Sequence, residues 1–241
     1  MNPPRLAALA VILVTLVACL PQASPESTPT PTATSARPRF ELATYMYALQ
    51  TKGKVRIGVL DNDVPFAVRD QAGTYAGFEV DLGRELAKAI FGPRRDIDSV
   101  IEWVSIDRST AVTALTSLQA DIVIARLTVT PERATVIDLS DHYFITGERI
   151  LVSSTNDDIK DVADLDTKTV CVQIGSGVDL QITDANDSAR TLALVKKNTG
   201  DRQGFLPFLN TWLASVIRDG TWGHLYAQHI TPLSKDTKTS P

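Results

Sequence analysis

The chain has 241 residues, 44% hydrophobic and 22% charged, with a formal net charge of −4. That composition suits one or two folded domains, and its mild acidity leaves no electrostatic footprint for nucleic acid. No Walker-type phosphate loop, His-Glu-x-x-His or Cys-x-x-Cys pattern occurs, so nucleotide hydrolysis and the common zinc chemistries have no basis and no cofactor or metal is expected.

The first element is "MNPPRLAALAVILVTLVACL", in which Arg5 precedes an uncharged apolar run from Leu6 to Ala18. The run is short for a bilayer span and has the proportions of a secretory signal. It ends in Leu16-Val17-Ala18-Cys19, which resembles the bacterial lipobox, whose cysteine is lipidated and becomes the mature N-terminus. An ordinary signal peptide with an incidental cysteine is the alternative. Acyl chains would hold the protein on a membrane, at about 0.8 kcal/mol per buried methylene. Residues 20–39 are mostly Pro, Ser and Thr, bury little and read as an extended tether.

The folded part begins near Phe40. "FELATYMYALQTKG" has helical spacing up to Gly53, and "KVRIGVL" is a β-branched run that reads as a buried strand. A loop with a turn at Asp70–Gly73 leads to "FEVDLGRELAKAIFG", residues 78–92, whose Val80, Leu82, Leu86, Ala87 and Ile90 share one helical face. "SVIEWVSI" is a second strand. "STAVTALTSLQ" is a short helix that Ser109 or Thr110 would cap. "ADIVIARL", "VIDLS" and "RILVSS" are further strands. The alternation predicts an α/β fold with a largely parallel sheet. Beyond it, "TVCVQI" and "TLALVKK" read as strands, and Cys171 is expected to be a small buried core residue. "FLPFLNTWLASVIRDGTWGHLYAQHI" predicts two helices broken at Gly220, followed by a polar tail from residue 231.

In open α/β sheets, ligands sit beyond the carboxyl ends of strands. Three such ends are legible: Asp61, Asp63 and Phe66 after the first strand, Arg126, Thr128 and Arg133 after "DIVIA", and Gly175, Ser176 and Gly177 after "TVCVQI". Carboxylate, aromatic ring, guanidinium and backbone amides together suit a small zwitterion. Arg can clamp a carboxylate through two parallel hydrogen bonds, and Asp can take an ammonium group. Arg133 could equally be a surface charge paired with Glu132 or Asp138, and Asp61 and Asp63 could be turn formers.

"RIGVLDNDVPFAVRDQAGTYAGFEVDLGRELAKAI" and "ALTSLQADIVIARLTVTPERATVIDLSDHYF", with the closing "FLNTWLASVIRDGTWGHLY", resemble the family 3 extracellular solute-binding proteins of ABC transporters over residues 40–230. The resemblance implies a type II periplasmic-binding-protein clamshell of two lobes. It also implies a polar amino acid as ligand, an ABC transporter permease as partner, and a monomer without enzymatic activity, acting outside the membrane that holds its anchor. By the same resemblance Thr128 and Arg133 would hold the ligand carboxylate. Phe66 falls on the family's Pro-Phe, Asp61–Asp63 line lobe 1, and Gly175 and Ser176 donate from lobe 2. Lobe 1 would comprise residues 40–150 and 191–230. Lobe 2, residues 151–190, is too short for the full α/β lobe of the family, and only Asp184 and Asp187 stand in for its amino-group aspartate. Arg126 occupies a position that the family keeps small; it is expected either to favour a ligand with an acidic side chain or to turn outward. A sensor or decayed binding module of the same fold is the alternative function.

Overall fold

The structure, a computed structural model, describes residues 38–146, 150–171, 189–196 and 202–233, the stretch 189–196 through its backbone alone. Helix α1 (Tyr45–Lys52) starts where the Thr44 side chain accepts a hydrogen bond from the Tyr47 N–H, 3.3 Å away. It stops at Gly53, whose left-handed φ of 77° suits a residue without Cβ. Strand β1 (Val55–Val59) follows, with Val55, Ile57 and Val59 fully buried. A small antiparallel sheet of β2 (Asn62–Asp63), β3 (Ala67–Arg69) and β4 (Tyr75–Ala76) then carries the chain to helix α2 (Phe78–Phe91).

Helix α2 has no side-chain cap. Its first amides bond instead to the preceding loop, Phe78 N–H to the Pro65 carbonyl at 3.1 Å and Glu79 N–H to the Phe66 carbonyl at 2.9 Å. Gly77 makes this approach possible: at φ 129°, a Cβ there would lie 2.3 Å from the Phe66 carbonyl oxygen. The helix buries the expected face, including Val80, Leu82, Leu86 and Ile90, each contributing roughly 1.5–3 kcal/mol of apolar transfer.

Strand β5 (Ile101–Ser105), helix α3 (Ala111–Thr116), strand β6 (Ile122–Thr128), helix α4 (Pro131–Val136) and strand β7 (Ile137–Thr146) complete the first pass. Thr110 precedes α3, but its side chain engages Asp107 rather than the helix amides. The chain returns through β8 (Ala189–Lys196) into α5 (Phe205–Arg218) and α6 (Thr221–His229), with the break at Gly220 as expected.

The main sheet has the order β5-β1-β6-β8-β7. Strands β5, β1 and β6 are parallel, whereas β8 lies antiparallel to both β6 and β7. The sheet is therefore mixed rather than largely parallel, because β8 runs back against the strand that carried the chain out. Side chains of β6 alternate between two cores: Ile122 and Ile124 pack with α2, α5 and α6, while Val123, Ala125 and Leu127 pack with α3.

At the amino end of β6, Asp121 is buried. It accepts from the Arg56 backbone N–H at 2.8 Å, the Arg56 guanidinium at 2.6 Å and the Tyr45 hydroxyl at 2.7 Å, while Arg202 donates to its carbonyl at 2.6 Å. This ties β1, β6, α1 and the approach to α5 together, at the end of the sheet opposite the strand termini where ligand chemistry is expected.

Three further expectations are corrected. "RILVSS" forms no strand at 150–154, nor does the part of "TVCVQI" that is described. Residues 150–171 hold one 3-10 turn, Val162–Leu165, which Asp161 and Asp164 cap reciprocally. Cys171 is exposed rather than buried, because residues 169–171 join no strand and no described element packs over them. Cys19, the tether, Gly175, Ser176, Gly177, Asp184 and Asp187 lie outside the described residues. Among the described residues no helix is long and apolar enough to cross a membrane.

Candidate functional site

Phe66 is set by its surroundings. Its carbonyl is fixed by α2, and its ring makes edge contacts with Phe78 (centroids 6.1 Å apart) and Phe144 (5.1 Å). Edge-to-face packing of this kind favours one ring orientation.

Arg126 reaches that ring from the end of β6. The ladder between β6 and β8 shifts between Ile124 and Leu127, a bulge that takes Ala125 and Arg126 out of regular pairing. Arg126 has φ 47°, in the left-handed region. Side chains hold its backbone there: its N–H donates to the Tyr143 hydroxyl at 3.0 Å, and Arg108 donates to its carbonyl at 3.1 Å. The guanidinium carbon then lies 4.3 Å from the Phe66 ring centroid. Its Nε donates to Asp63 Oδ2 at 2.8 Å, and its Nη2 donates to Asp63 Oδ1. Asp63 also receives Arg108 Nη2 at 3.2 Å.

Beneath this cluster, Glu79 is wholly buried, and its Oε1 accepts from the Tyr143 hydroxyl at 2.5 Å. Burial, the dominant cause, raises its pKa to about 8, although Tyr143 and Arg126 oppose the rise. Desolvation also pushes the Tyr143 hydroxyl well above its ordinary value, with Glu79 adding to the rise. Desolvation, then the nearby Arg126 charge, lowers the pKa of Arg108.

The structure therefore brings Asp63, Phe66 and Arg126 together. Thr128 and Arg133 meet each other where β6 leads into α4. The Thr130 side chain caps α4 by accepting from the Arg133 N–H, and Arg133 Nη1 turns back to the Thr128 carbonyl at 2.5 Å. Asp61 points elsewhere. It accepts from the Ser105 hydroxyl at 2.6 Å and lines a separate surface cavity of about 460 Å³ with Arg69 and Asp70. Among the described residues no His, Cys, Asp and Glu cluster could hold a metal ion.

Three participants were not singled out from the sequence. Glu79 had a signal, since it shares the apolar stripe of Leu82, Leu86 and Ile90 on α2. Tyr143 alternates with the outward residues of β7. Arg108 sits in an irregular loop and carried none.

Known proteins corroborate the architecture. Residues 55–232 match the family described as bacterial extracellular solute-binding proteins, family 3. The arginine-binding extracellular protein ArtP of Bacillus subtilis is 35% identical over 125 residues, which is 52% of this chain and 46% of that protein. A glutamine-binding protein of Geobacillus stearothermophilus is 30% identical over 118 residues, 48% of this chain and 43% of that protein. The chain thus spans about half the length of the curated relatives it matches. A solved cysteine-binding protein from Campylobacter jejuni superposes with a TM-score of 0.70 at 19% identity, covering 81% of this chain and 96% of that one, and shares the type II periplasmic-binding-protein fold. With the match running from β1 through α6, the chain belongs to family 3 of the bacterial extracellular solute-binding proteins.

Proposed function

We propose that this chain binds a small amino acid, acidic or neutral rather than cationic, outside the cell and delivers it to an ABC transporter permease while anchored to the membrane through Cys19. It acts as a monomer and as a binder rather than an enzyme. Thr128 and Arg133 hold the ligand carboxylate, the Arg126 side chain stacked on Phe66 borders the ligand, and Gly175 and Ser176 donate from a shortened second lobe. The observation that carries this reading is a surplus of positive charge at the carboxyl ends of β1 and β6. Arg108 and Arg126 share the single carboxylate of Asp63, and burial keeps Glu79 largely uncharged at neutral pH. Such a corner favours anionic groups and repels a cationic side chain.

A thermal-shift screen of the full chain against the twenty amino acids tests it. A ligand at one hundred times its dissociation constant stabilises by about 2.7 kcal/mol. Acidic or neutral amino acids are expected to raise the melting temperature, and Arg133→Ala to abolish that rise. Equal rises in both proteins would remove Arg133 from the site.

A second reading, a sensor or decayed module that does not serve transport, is favoured by the position of Arg126 over Phe66. Ligand binding without stimulation of ATP hydrolysis by the cognate transporter would support it.

A further inference from the structure

We propose that Asp63 and the ring of Phe66 form a guanidinium subsite that the chain fills with its own Arg126, so that the residue at position 126 decides which ligand side chains are admitted. The subsite itself rests on geometry alone; its consequence for amino-acid choice rests on the proposed carboxylate anchor at Thr128 and Arg133.

A guanidinium is recognised by a π face and by two acceptors in its plane. Both are present. The ring centroid of Phe66 lies 4.3 Å from the Arg126 guanidinium carbon, and Asp63 accepts from its Nε and Nη2 on two different oxygens. The ring is buried and locked by Phe78 and Phe144, so it keeps its orientation without Arg126. Asp63 is held from the other side by Arg108, whose side chain is only 9% exposed. The host groups are thus positioned independently of the guest.

The guest is placed at a conformational cost. A left-handed backbone costs an L-residue roughly 1–2 kcal/mol. Arg126 adopts it at a bulge, with its N–H and carbonyl held by Tyr143 and Arg108. The structural pairing of Arg202 with Asp121 also lies over an aromatic ring, that of Tyr45, so it is the left-handed backbone that sets Arg126 apart. The Arg126 side chain is also 32% exposed, so solvent, and hence a free guanidinium, reaches the subsite. Glycine at this position would relieve the backbone and vacate the subsite together.

The test is a thermal-shift titration of full-length Arg126→Gly and wild type with methylguanidinium, and with ammonium as a control lacking the planar fork. Millimolar methylguanidinium is expected to raise the melting temperature of Arg126→Gly and leave wild type unmoved, with ammonium much weaker. The same titration of Arg126→Asn, whose side chain also tolerates positive φ, guards against a variant that merely folds poorly. No rise in either variant, or an equal rise in wild type, overturns the subsite. L-arginine is then compared with methylguanidinium on Arg126→Gly. Binding tighter by roughly tenfold or more, about 1.4 kcal/mol, supports the carboxylate anchor as well. Equal binding leaves the subsite standing and removes the anchor.

Discussion

The guanidinium of Arg126 lies over the ring of Phe66, 4.3 Å from its centroid, with Asp63 along its edge. Segments far apart in sequence meet in that contact: β2 and the turn after it, which the start of α2 holds through its amides, and the bulged end of β6. Its charge balance rests on one carboxylate shared by two arginines.

Asp63→Asn should therefore destabilise the chain by roughly 2–3 kcal/mol, below the 3–5 kcal/mol of a fully buried pair because Arg126 retains partial exposure. Urea denaturation measures this. Adding Arg126→Gly should recover part of the loss, because it removes one uncompensated charge and the strained backbone. A double variant no more stable than Asp63→Asn alone would contradict the balance described.

Glu79 gives the chain an unusual pH dependence. Its folded-state pKa is raised to about 8 from an ordinary 4.5, so the folded chain holds a proton that the unfolded chain has lost. This contribution is complete below about pH 4.5 and is lost as pH rises towards 8, at a slope on the order of 1 kcal/mol per pH unit for one proton. Glu79→Gln, a neutral buried isostere, should flatten the fall in melting temperature across that window. An unchanged pH profile would show that Glu79 does not bind the proton.

Asp121 acts in the opposite direction. Burial alone would raise its pKa, but the hydrogen bonds and charge of Arg56, helped by Tyr45, bring it below the ordinary 3.8. Its stabilisation is present above the unfolded value and is lost as pH falls through the folded one. Asp121→Asn leaves Arg56 and the buried Arg202 without their carboxylate and should cost about 3–5 kcal/mol at neutral pH. Acid unfolding of the variant should accordingly lack a limb that wild type shows.

Much of the described fold was legible because its elements are amphipathic and locally consistent. Helix α2 and the pair α5 and α6 announce themselves through apolar spacing, and β1 and β6 through β-branched runs. The antiparallel return of β8 was not legible, since strand direction depends on pairing between distant segments rather than on local pattern. Cys171 was misjudged because alternating valines suggest burial only where the segment joins a sheet, and residues 169–171 join none. At the site, position at strand ends singled out Asp63, Phe66 and Arg126 separately, and their contact appears only in the structure. The pairing of Arg126 with Asp63 depends on a bulge that no local sequence signal marks, and Arg108 depends on a loop conformation.

The most direct measurement of the account is calorimetric titration of the full wild-type chain with glutamate, glutamine and arginine at neutral pH. Glutamate or glutamine should saturate a single site, with arginine at least about tenfold weaker. Tightest binding to arginine, or no binding of any of the three, would contradict it.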